Sequence, residues 1–292
     1  MKTREILPII LAAMRVKSYQ PKDPLLQQYI ECIYTLRRDE SDGVTKYIAF
    51  PSIYSMTCIN TNCSVEVEGT NLIYTASPLY PLQSKLIRDY SNSSWIRYEG
   101  ITDEVVIYFK PLGLNAFIEK PLTNRRNSVI VDFVPYPDYA DSMRAVFALE
   151  GDDARIEAVE RYLVSKYKGF EHPFLHGIIG EILADAGSFS IAEAVKRYKI
   201  TRPTLNKHFD LYIGTTPSQF RKIVRFRDAM KRHRLGTDGQ NLTHISHGAE
   251  YFDQSHMVKD FKALTKYTPK TFFSELSVIE DGRINWMFLP PA

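Results

Sequence analysis

The sequence predicts an α+β protein in which a β-rich N-terminal domain, barrel or cupin-like, precedes an all-helical domain built from two similar units. Three observations carry this reading. Near residue 137 the texture changes from short β-branched and aromatic runs to helical periodicity. A skeleton recurs at a spacing of 52 residues, which places Phe261 on Phe209, Met257 on Leu205, Asp253 on Thr201, Pro269 on Pro217 and Phe272 on Phe220. Positive charge is concentrated: residues 187–276 hold 16 Lys/Arg and 8 Asp/Glu, net +8, leaving 21 and 26, net −5, elsewhere in the 292 residues. A basic segment on an acidic body points to a polyanion partner for that segment alone.

Residues 1–136 form the expected β-rich domain. The runs YIECIYTL, KYIAF, NLIYTA, SSWIRY and EVVIYF are each bounded by turn residues. Cys32, Cys58 and Cys63 are too few for a disulfide framework and fit a reducing compartment. Cys58 and Cys63 have no second Cys/His pair nearby, so they read as half-buried strand residues rather than metal ligands. The opening MKTREILPIILAAMR has a basic start and a short apolar run, but Pro8 interrupts the run and Arg15 ends it. It reads as the lead-in to a cytoplasmic protein, with Met14 an alternative start, and no apolar run reaches the length of a membrane span. By Tyr167 the chain has used 14 of its 18 tyrosines, and it also carries Trp95. Core packing explains most of these rings, and an aromatic-lined pocket for a small molecule is the sharper reading.

Residues 137–170 read as a helical connector. In ARIEAVERYLVSKY, Ile156, Val159, Leu163 and Tyr167 share one face, with Asp152 or Asp153 as the N-cap. Residues 171–292 form the helical domain. Its first unit runs from a short helix at Ser190 to about Tyr198, through a tight turn at Lys199-Ile200, into a helix capped by Thr201. Pro203 is tolerated in that helix's first turn, where the N–H groups lack partners anyway. Leu205, Phe209 and Tyr212 line its inner face, and Pro203, Thr204, Asn206 and Lys207 point outward. A second unit, from Leu242 to Leu264 with Asp253 as cap, turns Met257, Phe261 and Leu264 inward and Ser255, His256 and Lys259 outward. Ala194 and its counterpart Ser246 are both small, as close helix crossing requires. Helix, tight turn and polar-faced second helix make the helix-turn-helix pattern, whose second helix enters the DNA major groove. Between the units runs PSQFRKIVRFRDAMKRHR, with Arg221, Lys222, Arg225 and Arg232 left for phosphates.

Residues 174–276 resemble the DNA-binding domain of the AraC/XylS family of bacterial transcription regulators. The resemblance rests on ITRPTLNKHFDLYIGTTPSQF, RFRDAM and YFDQSHMVKDFKALTKYTPKTFF. It implies two helix-turn-helix units reading adjacent major-groove segments, with Arg202, Pro203, Thr204, Asn206, Lys207, Arg221, Arg225, Gln254, Ser255, His256 and Lys259 as the DNA-binding set. The family usually has glycine where Glu250 and Lys266 stand, which implies turns that are less strained or of a different shape here. LLQQYIECIY and VIYFKPLGLNAF resemble a sensor domain attached to some of these regulators. The implied partners are double-stranded operator DNA, a small-molecule effector, RNA polymerase and a second copy of the chain.

Catalytic patterns are lacking. The sequence has no Gly-x-Ser-x-Gly, P-loop or Gly-x-Gly-x-x-Gly. His244 and His247 have no carboxylate or cysteine set at ligand spacing, and Asp152-Asp153 and Asp103-Glu104 sit where turns or helix starts are expected. No catalytic, cofactor or metal residue is therefore expected. The alternative is an enzyme acting on a small molecule through the β-rich domain and tethered to DNA by the helical one. The apolar terminus RINWMFLPPA is expected to dock on this chain, with a partner subunit as the second choice.

Overall fold

The computed structural model describes residues 14–88, 91–121, 129–235, 251, 253–279 and 284–289. The N-terminal runs form β1 (Arg15–Tyr19), β2 (Ile30–Arg38), β3 (Val44–Ala49), β4 (Ser55–Thr61), β5 (Cys63–Glu68), β6 (Asn71–Ala76), β7 (Gln83–Ile87), β8 (Ser94–Glu99), β9 (Thr102–Phe109) and β10 (Ile130–Asp132). Two further strands, β11 (Ser277–Ile279) and β12 (Ile284–Leu289), come from the C-terminal tail. Together they make two six-stranded sheets, ordered β1-β2-β9-β4-β7-β10 and β11-β12-β3-β8-β6-β5. No described ladder joins the end strands of one sheet to those of the other, so the expected barrel is two open sheets instead.

Burial follows from this layering. In β3, β6 and β8 fully buried residues alternate with more exposed ones, because the second sheet has one wet face. By contrast β2, β4 and β9 are buried almost throughout, since the first sheet is covered on both sides. One cover is the second sheet: Tyr34, Cys58, Ile87 and Val106 meet Tyr47, Leu72, Tyr74, Ile96, Tyr98 and Trp286. The other cover is helical, from α1 (Leu26–Tyr29), α2 (Tyr139–Phe147) and α3 (Asp152–Ser165). Met143, Val146, Ile156, Val159 and Leu163 there pack on Ile33, Ile59, Val105 and Ile107. Helices α2 and α3, within the segment expected as a helical connector, thus pack on the first sheet. Gly151, at φ 80°, takes the cap position of α3 expected for Asp152 or Asp153. Both acids lie in the first turn, where a carboxylate meets the positive end of the helix dipole.

The aromatic residues fill the inter-sheet core. Tyr47 stacks on Trp286 at 4.1 Å between centroids, and Tyr74 on Tyr98 at 4.5 Å. Cys32, Cys58 and Cys63 are all buried, so Cys58 and Cys63 are buried rather than half-buried. Glu104 is buried among these rings and accepts the Tyr98 hydroxyl at 2.7 Å; burial pushes its carboxyl up to about 7. An apolar cavity between the first sheet and α2–α3, lined by Ile107, Phe117, Tyr139 and Leu163, measures about 20 Å³, room for one water.

The helical part comprises α4 (Leu175–Ala184), α5 (Ile191–Arg197), α6 (Arg202–Tyr212), α7 (Pro217–Leu235), α8 (Gln254–Thr265) and α9 (Pro269–Glu275). It has two cores, and each borrows from the N-terminal body. Leu112 joins Leu175, Ile178, Leu205, Phe209 and Phe220 in the first. Phe50 and Met287 join Phe226, Met257, Phe261 and Phe272 in the second. After α9 the chain returns to the N-terminal sheet, where β12 pairs antiparallel with β3 and sets Trp286 opposite Ala49. The tail therefore docks on its own chain, and the residues beyond 276, expected in the helical domain, supply strands to the second sheet. The expected lead-in before Met14, and the first helix of the second unit with Leu242, His244, Ser246, His247 and Glu250, lie outside the described residues.

Candidate nucleic-acid interface

The first unit is assembled by local hydrogen bonds. Ser190 Oγ accepts the Glu193 N–H at 3.3 Å to start α5, and Lys199, at φ 53°, turns the chain. Thr201 Oγ1 then accepts the Thr204 N–H at 3.2 Å to start α6, as its sequence predicts. Leu205 and Phe209 are buried against Ala194 and Phe220. Arg202, Pro203, Asn206 and Lys207 are consequently exposed, while half-buried Thr204 shares a 2.8 Å hydrogen bond with the Thr201 hydroxyl. His172 fastens this unit to α4. Its Nδ1 accepts the Leu175 N–H at 3.2 Å and its Nε2 faces His208 Nδ1 at 2.9 Å. Burial, aided by the His208 charge, lowers the His172 imidazole to about 4, so it serves as a neutral acceptor.

The described helix of the second unit repeats the design. Asp253 Oδ1 accepts the His256 N–H at 2.7 Å to start α8. Met257, Phe261 and Leu264 are buried against Phe226, Met230 and Phe272. Gln254, Ser255 and Lys259 are exposed and His256 is half-buried. Thr268 Oγ1 caps α9 by accepting the Thr271 N–H at 3.4 Å. Lys266 stands at φ 71°, the left-handed conformation that glycine adopts without strain. The turn therefore keeps the glycine-like backbone despite its lysine.

Two of the expected phosphate ligands are engaged inside the protein. Arg225, on α7, has a side chain 7% exposed, and its Nη2 donates to Asp260 Oδ2 of α8 at 3.0 Å. Tyr251 lies under the same guanidinium at 5.5 Å. The helical wheel placed Arg225 on an outward face, but α8 packs on that face and its carboxylate draws the guanidinium in. Arg221 is half-buried, and its Nη1 donates to the Phe189 carbonyl at 2.7 Å. The structure thus brings Arg202, Pro203, Asn206 and Lys207 to the first two turns of α6, and Gln254, Ser255, His256 and Lys259 to the first two turns of α8.

Several residues that the sequence did not single out hold the far ends of these helices. Arg88, beyond β7, donates through Nη2 to the carbonyls of Asp210 and Leu211, each at 3.2 Å. Asn115 Nδ2 donates to the Tyr212 carbonyl at 3.0 Å. Ser93 Oγ donates to the Leu264 carbonyl, near the end of α8, at 2.8 Å. Such contacts leave no local trace in a sequence, because the partners are more than ninety residues apart. They leave the N-terminal ends of α6 and α8, where a recognition helix meets base edges, uncovered by these residues.

Comparison with known proteins agrees with this geometry. The family described as "Helix-turn-helix domain" matches residues 194–275. No curated protein matches the chain. Among solved structures, ToxT from Vibrio cholerae is 12% identical, with a TM-score of 0.44 over 90% of this chain and 98% of ToxT. ToxT bound to (E)-4-(8-methylnaphthalen-1-yl)but-3-enoic acid gives the same identity, coverage and TM-score. Unsaturated fatty acid bound ToxT is 12% identical over 89% of this chain and 94% of that one, at a TM-score of 0.44. Capped helices, turn geometry and family match agree that residues 194–275 of this chain form a helix-turn-helix domain.

Proposed function

We propose that the chain is a sequence-specific DNA-binding regulator of transcription whose N-terminal body passes a signal to two recognition helices. The observation that carries this reading is the paired presentation of α6 and α8. Each is capped by a side chain at its start, anchored by a buried Leu/Phe or Met/Phe pair, and polar on its outward face. Asn206 suits bidentate pairing with adenine, and Lys207 and Lys259 suit guanine, each worth about 1–3 kcal/mol of discrimination. Gln254, Ser255 and His256 complete the second reading surface, and Arg202 holds phosphate beside the first. A signal taken by the N-terminal body reaches DNA through Leu112, Phe50 and the contacts from Arg88, Ser93 and Asn115. That signal is a small molecule or a partner surface. With about 20 Å³ in the apolar cavity, an enclosed ligand has to open the packing between the first sheet and α2–α3.

The test is selection of duplex DNA from a random library by the full chain at fixed salt. Two short preferred segments about one helical turn apart are expected. Lys259→Ala should relax preference at one or two base pairs in one segment and leave the other intact. Recovery of no preferred sequence, with binding governed by salt alone, would refute the reading.

A further inference from the structure

Arg88, Ser91 and Ser93, between β7 and β8, touch both recognition units. The Arg88 guanidinium holds the Asp210 and Leu211 carbonyls at the end of α6. Ser91 Oγ lies 3.1 Å from Thr215 Oγ1, and the Ser91 carbonyl accepts from Gln219 Nε2 of α7 at 3.3 Å. Ser93 Oγ donates to the Leu264 carbonyl near the end of α8. These helix-end carbonyls include groups that a helix leaves without internal partners, and a cation there also meets the negative end of the dipole. Gly214, at φ 94°, lets the backbone come close: a Cβ on it would stand 3.2 Å from the Arg88 carbonyl oxygen.

Elsewhere the units are joined mainly through α7. Phe220 belongs to the first core, whereas Ile223, Phe226, Ala229 and Met230 belong to the second. α7, 19 residues long, carries the direct link through both cores, and the contacts of Arg88, Ser91 and Ser93 add a second link outside it. The geometry points to Arg88 and Ser93 as a spacing gauge: they are positioning residues that fix α8 relative to α6, and so fix the number of base pairs between the two DNA segments the protein reads. This rests on the DNA-binding reading above. Successive base pairs are displaced by about 3.4 Å along the axis, so small changes of pose move one helix out of register with its segment.

The experiment uses the full chain and duplexes carrying the two segments recovered for the unaltered protein, with the gap at its preferred length or altered by one or two base pairs. Arg88→Gln and Ser93→Ala are compared with the unaltered chain, and thermal midpoints are recorded. Each variant is expected to lower discrimination between the preferred and altered gaps by about fivefold, the size of one hydrogen bond. Base preference within each segment should persist. Loss of fold lowers binding at every gap alike, so gap discrimination separates positioning from general damage. Should Arg88→Gln unfold, Ser93→Ala, which removes one hydroxyl, still decides. Unchanged gap discrimination in the folded variants, or a uniform loss at all gaps, overturns the inference and leaves the DNA-binding reading standing. If the unaltered chain selects no segments, both fall.

Discussion

Arg225→Ala separates a structural role from a DNA contact in one experiment. The Arg225 and Asp260 side chains are 7% and 6% exposed, and their 3.0 Å contact ties α7 to α8. Removing the arginine strands a buried carboxylate, a change that costs about 3–5 kcal/mol in comparable sites. A nearby cation softens the loss here, because Lys222 Nζ lies 3.9 Å from the same carboxylate. The lower end, about 3 kcal/mol, is therefore expected. Urea unfolding of the full chain measures it, and Asp260→Ala should give a loss of similar size. The double variant carrying both Arg225→Met and Asp260→Leu should recover most of the stability, since apolar side chains of similar volume remove both charges at once. On DNA, folded Arg225→Ala should retain the salt dependence of the unaltered chain. A stability change below about 1 kcal/mol, together with a salt slope reduced by about 0.9, would instead make Arg225 a phosphate ligand.

Three further outcomes follow from the packing. Glu104 ionises near 4.5 when unfolded and about 7 when folded, because burial disfavours its charge. Its contribution is therefore complete below pH 4.5 and is lost as pH rises to 7, a loss of about 3 kcal/mol at 1.36 kcal/mol per pH unit; Glu104→Gln should be the more stable protein at pH 8 in urea titrations, and equal stability there would refute the assignment. His172 has the opposite sign, since burial lowers it from 6.5 to about 4. Its stabilisation is complete above pH 6.5 and lost as pH falls to 4, so His172→Asn, which keeps an acceptor for Leu175, should remove that part of the acid sensitivity. Because the two windows overlap with opposite slopes, the variants resolve what the unaltered chain's pH curve combines. Trp286→Ala deletes a ring that is 2% exposed and stacked on Tyr47 at 4.1 Å; a loss of about 3–5 kcal/mol is expected, and a loss below about 1 kcal/mol would mean that the tail does not hold its place in the sheet.

Features made by neighbouring residues were legible in the sequence. Thr201, Asp253 and Thr268 each cap a helix through a bond to the N–H three residues on, so the cap and its partner lie within one turn. The buried pairs Leu205/Phe209 and Met257/Phe261 follow from a four-residue period, which also places Asn206, Lys207 and Lys259 outward. The aromatic runs YIECIYTL, KYIAF, NLIYTA, SSWIRY and EVVIYF announced β2, β3, β6, β8 and β9, because side-chain shape and alternation are local properties.

What needed the tertiary structure was every choice of distant partner. Alternation shows that a strand has a buried face, but it does not name the neighbouring strand, so two open sheets could not be distinguished from a barrel. The tail was recognisably apolar, yet its pairing with β3 depends on a free edge created far upstream. Arg225 and Arg221 share a basic helix with Arg232, and composition treats them alike. Only the approach of α8 and the Phe189 carbonyl turns the first two inward, while Arg232 stays on the surface beside Asp228. Helical wheels assign directions about one axis, whereas burial is decided by which other element occupies that direction. The grip of Arg88 and Ser93 on the ends of α6 and α8 has the same origin: a helix end leaves carbonyls unpaired wherever it stops, and the fold determines which side chain reaches them.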